Sequence, residues 1–183
     1  MWEKEREVCN MQVVLENEAL KVTISSFGAE LASIWGKATD TEYLWNADAK
    51  FWKRTAPVLF PFVGSLKNKE YHYEGKTYSM GQHGFARDME FAVDVQTATE
   101  AWFSLQSNEE TKAKFPLEFI LKIGYELEGK ELKVIWQVEN PDTKTLYFSI
   151  GGHPAFMCPV DEKGKQSEYY FKFDTDKDLT YGL

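Results

Sequence analysis

Two of the three histidines in this 183-residue sequence lie on glycine-flanked bends. His83 lies in GQHGFAR (residues 81–87) and His153 lies in SIGGHPAF (residues 149–156). Glycines beside each histidine permit a sharp bend or the close approach of a ligand, and the proline after His153 favours an extended backbone. Histidine exchanges protons near neutrality, with an unperturbed pKa of about 6.5. The pair therefore indicates acid–base chemistry on one small molecule, although either bend alone is more typical of a structural corner.

Arg54 is the next candidate site residue. It lies near the start of FWKRTAPVLFPFVGSL (residues 51–66), an otherwise apolar segment in which two prolines disfavour a regular central strand. The segment predicts a pocket wall. An arginine there needs paired acceptors, either a buried carboxylate or the hydroxyls of a ligand, because an unpaired buried charge is costly. Arg87, at the end of HGFAR, is predicted either as a surface or salt-bridge residue or as a ligand contact.

The remaining histidine and the two cysteines indicate no metal or cofactor site. His72 lies in YHYEG beside a predicted hairpin turn, which is typical of an exposed strand residue. HxH, HExxH and Cys/His clusters are absent, and so are the P-loop, GxGxxG and GxSxG motifs. Cys9 and Cys158 lie far apart in sequence and are interpreted as free thiols. We therefore predict no metal and no cofactor.

Composition excludes several classes of partner. The chain has 29 acidic and 21 basic residues, giving a formal net charge of -8. This balance argues against nucleic acid as a partner, because no basic tract is present to neutralise phosphates. The first residues, MWEKEREVCN, are too charged for a signal peptide, and no apolar run approaches the roughly 20 residues that a membrane helix needs. A soluble, cytoplasmic protein with no membrane partner is expected.

The dominant period along the chain is two residues, which is typical of half-buried strands. In FILKIGYEL (residues 119–127) and ELKVIWQV (residues 131–138), alternating apolar residues share one face. The predicted strands cover residues 11–16, 20–25, 29–36, 42–46, 89–95, 101–107, 119–127, 131–138, 146–150 and 169–174. The tripeptide EGK predicts hairpin turns at residues 128–130 and 74–76.

Helical signals are thin, with at most a turn near NADAKFWK (residues 46–53). The fold class is therefore predicted as mainly β, an antiparallel sandwich or a barrel, because a sheet with one apolar face must bury it. No linker or repeat divides the chain, so residues 1–183 are interpreted as one domain. The last predicted strand, residues 169–174, has no obvious partner. An incomplete sandwich is therefore expected, with an exposed sheet edge through which an oligomer is possible.

The motifs resemble those of the aldose 1-epimerase, or galactose mutarotase-like, family. The resemblance rests on Arg54 with APVLFPFVG, His83 in HGFAR, His153 in GGHPAF and the opening ISSFGAELASI, in that order. It extends over nearly the whole chain and is greatest for the bacterial branch often encoded beside lactose and galactose genes. The resemblance implies a β-supersandwich that interconverts the α and β anomers of a free sugar without metal or cofactor.

The resemblance also implies roles for individual residues. In that family a glutamate takes the proton from the anomeric hydroxyl while a histidine protonates the ring oxygen. His153 matches this general acid, and Arg54 and His83 match residues that hold the sugar. No carboxylate of this sequence stands in a matching motif for the base, and sequences of the family continue beyond residue 183. The resemblance therefore implies the N-terminal part of a longer mutarotase-like domain.

Three alternatives stay open on the sequence. One is a carbohydrate-binding module that uses the same cleft without turnover. Another is a mutarotase of hexose 6-phosphates, which asks for an extra cation in the pocket, and Arg87 is the candidate. The third is a structural domain in which both histidines are corners. The identity of the sugar depends on distances between hydroxyl partners and does not follow from the sequence.

Overall fold

The structure is a computed structural model that describes residues 11–160 and 164–180. Extended segments dominate these residues. The strands are β1 (Gln12–Glu16), β2 (Leu20–Ser25), β3 (Glu30–Gly36), β4 (Thr41–Glu42), β5 (Val58–Leu59), β6 (Glu70–Tyr73), β7 (Lys76–Ser79), β8 (Ala92–Gln96), β9 (Glu100–Gln106), β10 (Ile120–Glu128), β11 (Glu131–Glu139) and β12 (Gly151–Gly152). The α-helix α1 spans Glu109–Lys114, and short 3₁₀ turns span Lys67–Lys69, Ala86–Asp88 and Gln166–Glu168.

The first sheet contains β1 to β4 in sequence order, with antiparallel neighbours. Val13 of β1 lies opposite Ile24 of β2, and both are fully buried. The turn between β1 and β2 is closed by the side chain of Asn17, which accepts hydrogen bonds from two backbone amides after it. Alternation along β1 and β2 therefore buries one face, as the period of two predicts.

The second sheet has the order β11-β10-β9-β8 and is antiparallel throughout. The predicted apolar face of β10 is confirmed, and it buries Phe119, Leu121, Ile123, Tyr125 and Leu127. The corresponding apolar face of β11 is only partly buried. Val134 is 44% exposed and Trp136 is 42% exposed. β11 is an outer strand of this sheet, so its side chains have neighbours on one side only.

The two sheets bury their apolar faces in one continuous core. Tyr125 of β10 is completely buried, and its hydroxyl donates a 2.7 Å hydrogen bond to the carbonyl of Ala29, next to β3. This bond ties the second sheet to the first and satisfies a polar atom that burial would otherwise penalise. The mainly antiparallel β-sandwich prediction is confirmed, and the sheets do not close into a barrel.

A small antiparallel sheet of β5 and β12 lies outside the two large sheets. Gly151 pairs with Leu59 and Gly152 pairs with Val58. The two predicted hairpins are present, since β6 pairs with β7 and β10 pairs with β11.

Some predicted elements are absent, and one is new. Residues 146–150 form no strand, since the short strand β12 begins only at Gly151, and residues 169–174 are exposed without a partner strand among the described residues. The sheet edge that was expected at residues 169–174 is therefore not formed. Formation of an oligomer through an exposed sheet edge stays a prediction. The turn expected in residues 46–53 is present as backbone bonds from two amides to the carbonyl of Asp48.

Helix α1 was not predicted because it is too short to show a 3.6-residue stripe. Its signal is a capping box, in which the side chain of Asn108 accepts from the amide of Thr111 and the hydroxyl of Thr111 accepts from the amide of Asn108. This reciprocal pair satisfies two amides at the helix start. The described residues contain no helix with the length and apolar composition to cross a membrane.

Gly84 tests how tightly the loop of His83 packs on the rest of the fold. Gly84 has a φ of +73°, and a Cβ there would lie 2.1 Å from the carbonyl oxygen of Phe60. Gly75 has a similar φ of +76°, but nothing lies within 4 Å of a Cβ. Gly75→Ala should cost only the left-handed strain, about 1–2 kcal/mol. Gly84→Ala should lower the free energy of unfolding by clearly more, measured by urea denaturation; equal losses would contradict the close packing.

Candidate functional site

Residues 54–64, here called the central segment, carry both histidine loops. On one side the antiparallel pairing of β5 with β12 extends by one residue beyond the strands, because the amide of His153 donates to the carbonyl of Pro57 (3.1 Å). On the other side the amides of Phe85 and Ala86 both donate to the carbonyl of Phe60 (3.0 and 3.1 Å). Two loops about 70 residues apart in sequence are thereby fixed to one short stretch of backbone.

The two imidazole rings meet at this segment. The ring centroids of His83 and His153 lie 5.9 Å apart with planes 68° from parallel. The ring of Trp52 lies 5.0 Å from that of His153 and is tilted by 43°. The structure therefore brings together the two histidines that the sequence singled out, with an indole on the outer side of His153.

His83 is held in one tautomer. The amide of Gly64 donates a 3.0 Å hydrogen bond to its Nδ1, and its own amide donates to the carbonyl of Gly64 at 2.8 Å. Nδ1 is therefore an acceptor without a proton, and the neutral ring carries its proton on Nε2. Burial lowers the pKa of His83 below 6.5, and the positive charges of Arg87 and of protonated His153 lower it further. A neutral ring that donates from Nε2 suits an acceptor oxygen of a ligand.

The guanidinium of Arg54 has acceptors within the protein. Its Nη1 donates to the carboxylate of Glu30 (3.3 Å) and to the carbonyl of Arg87 (3.1 Å). Its Nη2 donates to a carboxylate oxygen of Asp88. The sequence analysis expected Arg54 to pair either with a buried carboxylate or with the hydroxyls of a ligand. The structure supplies carboxylates, and Glu30 is only 9% exposed.

Arg87 pairs with Asp88, the carboxylate that Arg54 also contacts. Its Nη2 donates to the carbonyl of Gln82 (2.9 Å), and its Nε lies 3.8 Å from the second carboxylate oxygen of Asp88. That Nε is buried and has no hydrogen-bond partner among the described residues. Arg54 and Arg87 are therefore matched by two carboxylates, so the charges around the imidazoles are balanced.

A cavity of about 250 Å³ opens beside His153. Its wall includes Trp136, whose ring contacts the backbone of Gly152 closely enough that a Cβ there would lie 2.8 Å from it. The rest of the wall is mainly apolar, with Pro154 on one side. Two titratable groups, His153 and the buried Tyr125, thus line a small and mostly apolar cavity.

All four predicted site residues lie in this one cluster: Arg54, His83, Arg87 and His153. The sequence analysis missed Trp52, Glu30 and Asp88, which contact them. Trp52 and Glu30 lie inside quoted segments and Asp88 directly follows HGFAR, but a single tryptophan or carboxylate gives no signal of what it faces. These residues become visible only once the loops are folded together.

The structure also shows where the other histidine and the cysteines lie. His72 is an exposed residue of β6, as predicted, and its Nδ1 lies 3.0 Å from the hydroxyl of Thr77. Within residues 11–160 and 164–180, no group of three or more His, Cys, Asp or Glu side chains is arranged to hold a metal ion. Cys158 is an exposed free thiol, whereas Cys9 lies outside the described residues.

Known proteins resemble this chain in sequence and in fold. The sequence model described as aldose 1-epimerase matches residues 11–182. The chain belongs to the aldose 1-epimerase family. Protein LacX of Lactococcus lactis subsp. lactis, in its chromosomal form, is 37% identical over 169 residues, which is 89% of this chain and 56% of LacX.

Solved structures give the same family. A galactose mutarotase related enzyme from Lactobacillus acidophilus is 44% identical, with a TM-score of 0.82 over 85% of this chain and 52% of that one. A galactose mutarotase-like protein from Lactobacillus casei is 42% identical, with a TM-score of 0.77 over 80% of this chain and 50% of that one. This aldose 1-epimerase family chain thus spans about half the length of the relatives it matches.

The lowered pKa of His83 predicts how stability depends on pH. Because the folded state holds this ring neutral, the unfolded state binds more protons as pH falls below 6.5. Stability contributed by neutral His83 is therefore complete at higher pH and is lost as pH falls through and below 6.5. His83→Asn keeps a side chain that tolerates the φ of +67° but does not titrate. The melting temperature of wild type should fall more than that of the variant between about pH 8 and about pH 5; parallel curves would contradict the assignment.

Proposed function

We propose that this chain supplies the acid and sugar-binding groups of an aldose 1-epimerase, which interconverts the α and β anomers of a free aldohexose by opening and closing the ring. The observation that carries the proposal is the meeting of the His83 and His153 rings at the central segment, whose first residue, Arg54, is hydrogen-bonded to the carbonyl of Arg87 next to the His83 loop. Ring opening requires an acid at the ring oxygen and a base at the anomeric hydroxyl, each contributing about 10²–10⁴-fold. The cluster offers imidazoles for the first task.

His153 is proposed as the general acid. Its backbone is fixed by the bond from its amide to Pro57, and its ring lies between Trp52 and His83 beside the cavity. His83 is proposed to hold a sugar oxygen through Nε2–H, because its Nδ1 is already bonded to the backbone. Arg54 and Arg87 are proposed to contact sugar hydroxyls with donors that the carboxylates leave free.

The general base is proposed to come from outside the described residues. Glu30 and Asp88 are the carboxylates bonded to the site, and each already pairs with an arginine. Neither is therefore proposed as the base. We propose that residues 1–183 are the N-terminal part of a longer mutarotase-like domain, and that the remainder provides the base.

The balanced charges favour a neutral sugar over a sugar phosphate. A phosphate-binding pocket needs cationic groups whose charge is not already compensated. Arg87, the candidate for that role, lies beside Asp88, and Arg54 shares the same carboxylate. A cytoplasmic location stays a prediction, which the exposed free thiol of Cys158 fits, because the cytosol keeps thiols reduced.

An extended version of the chain tests the origin of the base. Anomer exchange is measured by magnetisation-transfer NMR between the α and β signals of glucose and galactose. The 183-residue chain should leave exchange near the uncatalysed rate, and the version extended to the length of its relatives should accelerate it. Equal, high activity in both would show that the base already lies within residues 1–183.

His153→Ala in the extended version separates an enzyme from a binding module. Loss of a general acid should lower the exchange rate about 10²–10⁴-fold, while the dissociation constant for sugar, measured by calorimetry, changes much less. His72→Ala is the matched control, because His72 is exposed on β6 outside the cluster. A His153→Ala protein that exchanges anomers as fast as the control would remove the acid role and favour a structural or binding role.

A further inference from the structure

Glu30 is a buried carboxylate that reaches the candidate site from the first sheet. It begins β3 and pairs with Ser25 of β2. The residue before it, Ala29, accepts the hydrogen bond of the buried Tyr125 hydroxyl at 2.7 Å. Its backbone is therefore fixed by contacts from both sheets. A carboxylate on such a rigid support holds its partners in one position.

The two oxygens of Glu30 have different tasks. Oε1 accepts hydrogen bonds from the backbone amides of Thr55 (2.8 Å) and Ala56 (3.0 Å). Oε2 faces Nη1 of Arg54 at 3.3 Å. One side chain thus holds the backbone of the central segment with one oxygen and the guanidinium of its first residue with the other.

The same stretch of backbone leads directly to His153. The carbonyl of Thr55 accepts from the amide of Ala155 (2.8 Å), and the carbonyl of Pro57 accepts from the amide of His153 (3.1 Å). Glu30 therefore binds amides of the same short stretch whose carbonyls pair with Ala155 and His153. A displacement of Thr55 changes the support of the imidazole.

We propose that Glu30 is a positioning residue of the sugar site: it aims the guanidinium of Arg54 and holds the backbone on which His153 is paired. The identification of the ligand as a sugar rests on the proposed function, whereas the positioning of Arg54 and of the backbone by Glu30 does not. Arg54 passes the constraint on, since it also donates to the carbonyl of Arg87 and to Asp88 beside the His83 loop. Glu30 touches neither imidazole and acts through these neighbours.

Glu30→Gln separates the two tasks of the side chain. The amide oxygen can still accept from the amides of Thr55 and Ala56, but the amide nitrogen presents donors to Arg54, which has no acceptor to offer. Glu42→Gln is the matched control. Oε1 of Glu42 likewise accepts from two backbone amides, those of Ile34 (2.8 Å) and Leu44 (2.9 Å), and no arginine contacts Glu42 within the described part of the chain.

Two readouts on the 183-residue chain test the proposal. One is the dissociation constant for glucose and galactose from NMR titration. The other is the sugar-free NMR signals of the His153 ring, which lies beside Trp52, and of the Arg54 Nε–H group. Glu30→Gln should weaken sugar binding about tenfold and move the Arg54 signal, Glu30→Ala should also move the His153 signal because it removes the bonds to the Thr55 and Ala56 amides, and Glu42→Gln should move neither. In an Arg54→Gln background, Glu30→Gln should weaken binding no further, because the oxygen that this substitution replaces acts on the sugar through Arg54.

Each other outcome has a definite meaning. Wild-type affinity and unmoved signals in Glu30→Gln, with only a lower melting temperature, would overturn the proposal and leave Glu30 a purely structural residue. If wild type binds no sugar, the proposed function fails, and the His153 and Arg54 signals still decide whether Glu30 positions them. Should Glu30→Gln not fold, Glu30→Asp keeps the charge but withdraws it from Arg54, and it is measured in the same way.

Discussion

Backbone hydrogen bonds on both sides of the central segment hold the candidate site together. His153 is paired with Pro57 on one side, and the loop of His83 is bonded to Phe60 and Gly64 on the other. Neither histidine loop has a long regular strand of its own, since β12 contains only two residues. The central segment therefore replaces a sheet as the support for the imidazoles. Its two prolines fit this role, because each acts only as an acceptor: the carbonyl of Pro57 accepts from the amide of His153, and that of Pro61 accepts from the amide of Ser149.

The charged groups around this segment form a compensated network. Arg54 and Arg87 share Asp88, and Arg54 also faces Glu30, which is buried. Removing one member of such a network costs more than a surface ion pair contributes, because the partner charge is left without its acceptor. The compensation also limits what the site binds well. A neutral, hydroxyl-rich molecule can use the remaining donors, whereas an anion would have to compete with Glu30 and Asp88 for the two arginines.

The sequence predicted the mainly antiparallel β class and many of the strands, but not the order of the strands in the sheets. Alternation in β10 predicted its buried face residue by residue, because side chains on a strand alternate strictly. The same pattern in β11 predicted a buried face that is half exposed, since alternation shows which residues share a face and not what covers that face. Helix α1 was missed because its six residues give a cap but no stripe. Residues 169–174 have the composition of a strand, but a strand forms only where a partner edge is available.

The candidate site was predictable in its histidines and only partly in its surroundings. Glycines beside His83 and His153 carry a local backbone signal that survives in the sequence alone. The pairing of Arg54 with Glu30 joins positions 24 residues apart, and no local pattern encodes it. Glu30 was present in the opening motif, yet its role depends on the first sheet presenting it to the central segment. Long-range polar contacts of this kind are decided by the fold and not by local propensity.

The central claim is that both imidazoles and Arg54 face one sugar. A crystal structure of the chain soaked with glucose or galactose tests it most directly. The account predicts a pyranose bound against His153, with one of its oxygens within hydrogen-bonding distance of Nε2 of His83 and a hydroxyl near Arg54. A sugar bound elsewhere on the surface, with the cluster of His83, His153 and Arg54 unoccupied at saturating concentration, would contradict it.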